Sequence, residues 1–477
     1  MSPVFETGNN GRDKPKAAAG EASRSDAFGE SMSVFDKVEA ITAMLKKEIL
    51  TNAERGRVQI FLEEINDEMK KREGKVESFF RDDVMKRLKA LFPKNPIVAE
   101  MAKGGGMADK VDLLVDGKEA FQRIIENIRT AKTIYINIFL WRDDKTGNEV
   151  ARELLKAADR GAKITIVKDA VGGVFEYAEK GKQSFFHKAG LGLGLKFKSD
   201  RIDGFYTNQD EATSKEQKSN DLASKLRNHP NITYIEGERN DHSKYYIFDG
   251  KTVITGGMNI GDEYASGEFH DYMVEFSSQT MADRLLKGEG LSGEEMGRSA
   301  DVDFVFNKKS NAGKEFEIKP KFLELCKKAK NNMTIEMAYF GDEDVTNAII
   351  ETAKRGIRVD IILPKTANVG DDLNKRVIER ILEETGGNNL SIYFYPGMVH
   401  GKLINVDGEY TFMGSANLNN QGTKELSETN IFVADKDCKF TSEVTRQLKE
   451  DKAKSGVIHS PPSITYDKVR AQLESMA

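Results

Sequence analysis

The chain has 477 residues, 39% of them hydrophobic and 31% charged, and a formal net charge of −5. That composition supports a sizeable core and about two to four domains, lacks the basic excess of a nucleic-acid binder and argues against strong general attraction to anionic lipid surfaces. The longest apolar stretch, TIYINIFLW at 133–141, falls far short of the ~18 residues that suggest a membrane span, and the N-terminal MSPVFETGNNGRDKPKAAAG lacks the apolar segment of a secretory signal.

Residues 1–30, rich in Gly, Ala, Ser and charge, read as a disordered tail. Residues 31–105 read as a helical region. Val34, Phe35, Val38, Ile41, Leu45 and Ile49 recur at helical spacing, and further amphipathic stretches cover Ala53–Lys70 and Val76–Leu91 before Pro93 and Pro96. KGGGMAD at 103–109 reads as a linker. From about residue 110 strands and helices alternate, which indicates an α/β layer fold.

An internal repeat runs through that portion. AKTIYINIFLWRDDKTGNEVARELLKAADRGAKITIV (131–167) and AKNNMTIEMAYFGDEDVTNAIIETAKRGIRVDII (329–362) share the order strand, polar loop, amphipathic helix, Arg-Gly, strand. Arg160-Gly161 and Arg355-Gly356 occupy equivalent places, with the glycine at the helix C-terminus. The boundaries read as 110–295 for the first α/β repeat, 315–440 for the second and 441–477 for a polar C-terminal tail with a short helix. The first repeat carries an insertion at about 200–230 that could border a site entrance. Cys326 and Cys438 form no CxxC pair and read as ordinary thiols of a reducing compartment, so the expected location is the cytoplasm or the cytoplasmic face of a membrane.

Each repeat ends in a motif that carries chemistry: HSKYYIFDGKTVITGGMN (242–259) and HGKLINVDGEYTFMGSANLN (400–419). Both place Lys at His+2, Asp at His+7, Gly at His+14 and Asn at His+17. Such a match arises by chance on the order of 10⁻⁵ to 10⁻⁴ per histidine, and it occurs twice in a chain with six histidines. His and Lys two apart on a strand share a face, so His242 with Lys244, and His400 with Lys402, can reach one phosphate. Asp249-Gly250 and Asp407-Gly408 suit tight hairpin turns that bring Asn259 and Asn417 back beside the histidines. Lysines and asparagines supply donors for non-bridging phosphate oxygens; one histidine can attack phosphorus while the other protonates the leaving alcohol. Asp271, 29 residues after His242, and Glu428, 28 after His400, each begin an apolar strand. They are the expected carboxylates for the second ring nitrogen, one extending each motif.

These residues resemble the phospholipase D superfamily over about 115–435, and TGGMNIGDEY (255–264) with GSANLN (414–419) is most similar to bacterial cardiolipin synthases. The resemblance implies two phospholipase D-like α/β/α domains packed as a pseudo-two-fold pair, here with an N-terminal helical appendage. It also implies a covalent phosphohistidine and no metal or cofactor. His242 would be the nucleophile and His400 the acid and then base, an assignment that the near-equivalence of the motifs leaves reversible. Asp249 and Asp407 would stabilise their turns, with Gly257 and Ser415 in supporting positions. The sequence departs from the usual pattern at Phe269-His270-Asp271, where Trp-Arg-Asp is usual, and at Asn419 and Gln421-Gly422; the usual N-terminal membrane helices are missing. The implied partner is a phospholipid, with peripheral membrane contact; no protein partner is legible. A metal-independent nuclease of the same superfamily is the alternative, disfavoured by the acidic balance and by the absence of a basic stretch with interleaved aromatics. Outside the motifs, His187, His229 and His459 read as surface or core residues, His270 as a partly buried neighbour of Asp271, and GLGLG at 190–194 as a flexible or interfacial loop. Phe139 and Trp141 read as core, with pocket lining as the alternative.

Overall fold

In the computed structural model, the described residues run from 111 to 475 except 180, 187–192, 205, 207–218, 289–301, 311–312, 435–438 and 459–463, with isolated positions between 37 and 65. The chain divides into two compact units, Met1–Gly106 and Met107–Ala477. In the first, the described positions Lys37, Ala40, Ile41, Ala43, Val58, Phe61 and Ile65 are helical, and Ile41, Val58 and Ile65 are buried. The tail at 1–30, the stretch Val76–Leu91 and the linker at 103–109 lie outside the described residues.

The second unit holds both repeats. The first contains β1 (Val111–Val115), α1 (Asp116–Thr130), β2 (Thr133–Ile138), α2 (Lys145–Asp159), β3 (Lys163–Asp169), α3 (Gly172–Ala178), α4 (Leu193–Asp203), α5 (Asp221–Asn228), β4 (Ile232–Gly237), β5 (Lys244–Phe248), β6 (Thr252–Gly256), α6 (Asp262–Ala265), β7 (Phe269–His270), β8 (Tyr272–Ser277) and α7 (Gln279–Lys287). Its sheet has the order β1-β8-β6-β5-β2-β3-β4. The second contains β9 (Val302–Ser310), β10 (Gly313–Phe316), α8 (Ile318–Lys328), β11 (Asn332–Met337), α9 (Glu343–Lys354), β12 (Arg358–Pro364), α10 (Asp371–Thr385), β13 (Leu390–Tyr395), β14 (Met398–Val399), β15 (Lys402–Val406), β16 (Tyr410–Gly414), β17 (Glu428–Ala434), α11 (Lys439–Lys454), β18 (Gly456–Ile458) and α12 (Lys468–Glu474). Its sheet runs β10-β9-β17-β16-β15-β11-β12-β13-β18. The run β8-β6-β5-β2-β3-β4 therefore matches β17-β16-β15-β11-β12-β13 strand for strand, and the fold is a duplicated α/β domain.

Local chemistry explains the match. Gly161 and Gly356 take φ of 97° and 88° just after α2 and α9, a conformation that costs other residues more. The arginine before each reaches back to the end of the preceding helix: Arg160 donates to the Ile128 carbonyl at 3.0 Å and Arg355 to the Cys326 carbonyl at 2.7 Å. Each thus satisfies an otherwise orphaned C-terminal carbonyl. Asp249-Gly250 and Asp407-Gly408 all have positive φ, between 52° and 67°, as a tight hairpin requires. The aspartates hold the turns to the neighbouring chain. Asp249 Oδ1 accepts from the Lys132 and Thr133 N–H groups at 2.7 and 2.9 Å, and Asp407 accepts from the Lys330, Asn331 and Asn332 N–H groups at 2.8 Å.

One apolar cluster fills each repeat, and a third joins them. Tyr245, Val253, Val274 and Phe276 of the first sheet pack with Phe304, Leu403, Met413 and Ile431 of the second. The cross-repeat pairing of β7 with β14 adds a short parallel ladder, His270 opposite Val399. Two sequence boundaries shift. β9 precedes residue 315 yet belongs to the second sheet. The segment read as a polar tail includes α11, whose Phe440, Val444 and Leu448 are buried; these three residues recur at a helical spacing hidden among charged neighbours. Cys326 is buried and free, whereas Cys438 lies outside the described residues. Among the described residues no helix is long and apolar enough to cross a membrane.

Candidate active site

The site forms where the two repeats exchange backbone hydrogen bonds. The His242 N–H donates to the Ser427 carbonyl at 2.8 Å, while the His400 and Gly401 N–H groups donate to the His270 carbonyl at 2.7 and 3.0 Å. Each histidine segment is thereby tied to the segment just before the other repeat's carboxylate. The side chains follow. His242 Nδ1 lies 3.0 and 3.2 Å from the two Glu428 carboxylate oxygens, and His400 Nδ1 lies 2.6 Å from Asp271 Oδ2. The sequence expectation that each motif is completed by its own following carboxylate is therefore corrected: the partners are exchanged between repeats. Sequence distance could not reveal this, because the exchange depends on how the two sheets dock.

His242, His400, Asn259, Asn417 and Glu428 line one pocket, together with Phe139, Phe175, Tyr206, Phe269, Tyr339 and Leu373 among others. Phe139 meets the His242 ring edge-on at 4.7 Å, and Tyr264 and Phe269 flank His400 at 5.2 and 5.8 Å. Asn259 donates to the Tyr264 hydroxyl at 3.0 Å and accepts from the Leu140 N–H at 3.1 Å. Asn417 Oδ1 is buried without a hydrogen-bond partner. Lys244, Lys402 and Asp271 are buried beside the histidines but do not line the pocket. Each ammonium donates to the carbonyl of its own histidine, and Lys402 Nζ also lies 3.0 Å from His400 Nδ1.

Burial sets the electrostatics. It brings the Lys244 ammonium down to about 7, aided by Lys402 and opposed by Glu428. It brings Lys402 down to about 8 against the pull of Asp271 and Glu428. Burial and then Lys402 depress His400 to about 4. His242 is lowered mainly by burial, with Glu428 resisting. Burial alone would raise Glu428, but His242, Lys244 and Ser415 together hold it below the usual carboxylate range. Both histidines are accordingly neutral near pH 7, leaving Nε2 able to attack or to accept a proton.

The supporting positions differ between repeats. Ser415 Oγ donates to Glu428 Oε2 at 2.5 Å. At the equivalent Gly257, a Cβ would lie 2.4 and 2.7 Å from the two Asp271 carboxylate oxygens. Gly257→Ala is thus expected to displace Asp271 from His400 and to reduce kcat by about 10- to 100-fold, as ångström-scale misplacement does, with the fold retained; circular dichroism and steady-state rates together check this.

Several site residues were not legible in the motifs. Arg142, only 2% exposed, contacts Glu179, Glu263 at 3.4 Å and the Glu176 carbonyl at 3.0 Å. It lies in LWRDD, and nothing in that string distinguishes it from a solvated arginine. Ile202 and Tyr206, from the insertion, and Glu474 and Ser475, near the C-terminus, also line the pocket; Tyr206 bridges to Val369 of the second repeat. Phe139 is both buried and pocket-lining, while Trp141 is core, stacked on Phe185 at 5.1 Å. His229 pairs near the surface with Asp159 at 3.2 Å. His187, His459 and the start of GLGLG lie outside the described residues; Leu193 and Gly194 begin α4. His270 is fully enclosed rather than partly buried, facing Asp116 and Tyr272.

Comparison with known proteins gives the family. The family model described as "Cardiolipin synthase, PLD-like domain" matches residues 124–287 and 322–452. The chain belongs to this family. A cardiolipin synthase of Listeria monocytogenes (serotype 4a, strain HCC23) is 25% identical over 69% of the chain, which spans 66% of that relative's length. Cardiolipin synthase A of Pseudomonas syringae is 27% identical over 72% of the chain and 68% of its own length. The major cardiolipin synthase of Bacillus subtilis is 23% identical over 72% and 69% respectively. Among solved structures, a phosphatidylserine synthase from Haemophilus influenzae superposes over 77% of the chain and 92% of its own, with TM-score 0.57 and 16% identity. That likeness shows a shared fold, and the family model describes it as PLD-like.

Proposed function

We propose that the chain is a phosphatidyltransferase of cardiolipin synthase type, moving a phosphatidyl group from phosphatidylglycerol to a second lipid alcohol, or to water. The observation that carries this reading is the pair of exchanged histidine–carboxylate contacts opening into one aromatic pocket. His242 Nε2 attacks phosphorus, the bond from phosphorus to the leaving oxygen breaks, and His400 supplies the proton that oxygen needs. The acceptor hydroxyl then attacks the phosphohistidine, returns a proton to His400 and releases His242. His400 takes the acid role through Asp271 at 2.6 Å, against 3.0 Å for the His242 contact. Burial and Lys402 keep it neutral in the free enzyme, so its proton must arrive with the bound phosphodiester, whose charge offsets Lys402. Lys244 and Lys402 swing from their own histidine carbonyls to the non-bridging oxygens, joined by Asn259 and Asn417.

The pocket walls support a lipid over a nucleic acid. Beyond the histidines, Arg142 is the one cation lining it among the described residues, and Arg142 is already paired, whereas Glu179, Glu263, Glu428 and Glu474 are all present. A polyanionic strand would meet repulsion there. Incubation with phosphatidylglycerol vesicles and, separately, with single-stranded DNA decides the matter: lipid turnover is expected, and DNA cleavage without lipid turnover would contradict the proposal.

The lysines dictate a pH limb. As pH rises through about 7 and then about 8, Lys244 and Lys402 lose the protons that let them hold a phosphodiester. kcat/KM, which reports the free enzyme, is expected to fall above neutrality, by tenfold or more per unit once both titrate. The kcat limb lies higher, because bound phosphate favours the ammonium. A flat kcat/KM profile from about pH 6 to about pH 9 would exclude this role for the lysines.

Peripheral membrane contact belongs to the same proposal. Val469 (71% exposed) and Leu473 (51% exposed) share one face of α12, the helix whose Glu474 lines the pocket. They form an apolar ridge fit to insert at a bilayer surface. A Val469→Ser/Leu473→Ser variant is expected to sediment several-fold less with phosphatidylglycerol vesicles while keeping its activity on a short-chain soluble lipid; unchanged sedimentation would place the contact elsewhere.

A further inference from the structure

Behind the His400 segment lies a second cluster that the reaction does not use. His270, Glu336 and Asp451 are all buried, with their potential ligand atoms within 4.8 Å of one another. His270 Nε2 is 3.5 Å from Glu336 Oε1 and 3.3 Å from Asp451 Oδ2. The Tyr272 hydroxyl sits 2.8 Å from that nitrogen, 2.9 Å from Glu336 Oε1 and 3.0 Å from Asp451 Oδ2. A hydroxyl carries a single proton, yet this one faces two carboxylates and an imidazole nitrogen together. The group therefore needs additional positive charge. Glu336 Oε2, also buried, has no hydrogen-bond partner.

We propose that His270, Glu336, Asp451 and the Tyr272 hydroxyl form a structural site for a zinc-like divalent ion that clamps the two repeats together. Four observations converge on this. The donor set is His, two carboxylates and a phenol, which suits such an ion. A tetrahedron with bonds of ~2.0–2.1 Å has edges of about 3.3–3.4 Å. The five edges that involve His270 or Tyr272 measure 2.8–3.5 Å and need only slight opening at Tyr272 to match, while the Glu336 and Asp451 oxygens lie within 4.8 Å of each other and would draw onto the ion. The surroundings also have the character of outer-shell support. His270 presents its other nitrogen to Asp116 Oδ1 at 2.8 Å, and Asp451 is held by Gln447 at 3.0 Å and Lys454 at 3.2 Å. Lastly, the two carboxylates balance a divalent charge with neutral histidine and tyrosine, and the buried Glu336 oxygen that no hydrogen bond satisfies marks a carboxylate short of a cationic partner.

The ion would be structural rather than catalytic. Tyr272 and His270 come from the first repeat, Glu336 and Asp451 from the second, and the cluster shares no donor with the two histidine–carboxylate pairs. It acts on the site through the His270 carbonyl, which receives the His400 and Gly401 N–H groups. The competing occupant is a proton on His270, making an imidazolium among the carboxylates.

The experiment is metal analysis of the full chain by inductively coupled plasma mass spectrometry after equilibration with zinc and gel filtration, with thermal melts in zinc and in chelator. About one zinc per chain is expected, with a Tm several degrees higher than in chelator. His270→Gln and Asp451→Asn should lose the ion and the Tm difference, and His242→Ala should keep both. Cobalt loading should give the visible bands of a four-coordinate ion in the wild type, readable even where a variant fails to fold. Wild-type protein that takes up no zinc and melts alike in zinc and chelator would overturn the proposal. So would stoichiometric zinc in His270→Gln, or its loss in His242→Ala, since either puts the ion elsewhere.

Discussion

His242→Ala and His400→Ala are each expected to lower phosphatidyl transfer by on the order of 10⁴-fold or more, the scale on which removal of a nucleophile or its proton partner acts. The two losses have different characters. Without His242 no phosphoenzyme can form with any substrate. Without His400 the first step loses its acid, so the loss shrinks when the leaving group needs no proton. A p-nitrophenyl phosphodiester should therefore phosphorylate the His400→Ala enzyme, and the adduct should persist because the second step also lacks its base. Mass spectrometry of the intact chain, followed by peptide mapping, would locate the phosphate on His242. An adduct trapped on His400 in His242→Ala would reverse the roles; rates within tenfold of wild type in either variant would end the two-histidine mechanism. Circular dichroism must accompany both rates, because each substitution leaves a buried carboxylate, Glu428 or Asp271, without its imidazole.

Much of this architecture was legible because the chain states it twice. Arg160-Gly161 and Arg355-Gly356 mark the same helix ends, and Asp249-Gly250 and Asp407-Gly408 the same turns, each enforced by a positive φ. Local rules of this kind survive folding because they depend on neighbours in the chain. What the sequence concealed is long-range. Asp271 and Glu428 begin equivalent strands, but which histidine each serves depends on the docking of one sheet against the other. The same docking converts His270 from a neighbour of Asp271 into the centre of a cluster drawing on Glu336 and Asp451, 66 and 181 residues further along the chain. Arg142 and Tyr206 belong to the pocket for similar reasons: no periodicity marks a side chain that crosses between repeats.

That exchange gives the second large expected effect. Asp271→Asn and Glu428→Gln should each slow transfer by on the order of 10³- to 10⁴-fold, because an amide can hold the ring in place yet no longer favours the Nδ1–H tautomer or the imidazolium. The decisive reading is which histidine each variant mimics. Glu428 contacts His242 and Asp271 contacts His400, so Asp271→Asn should follow the His400→Ala pattern, with its deficit shrinking on a p-nitrophenyl substrate. Glu428→Gln should follow His242→Ala, with its deficit unchanged. The correspondence holds whichever histidine is the nucleophile, since each carboxylate acts through the ring it touches. Matching Asp271→Asn to His242→Ala would restore the within-repeat pairing and contradict the exchanged geometry. Equal deficits on both substrates for both variants would mean that the carboxylates maintain the shape of the pocket rather than the charge on each ring.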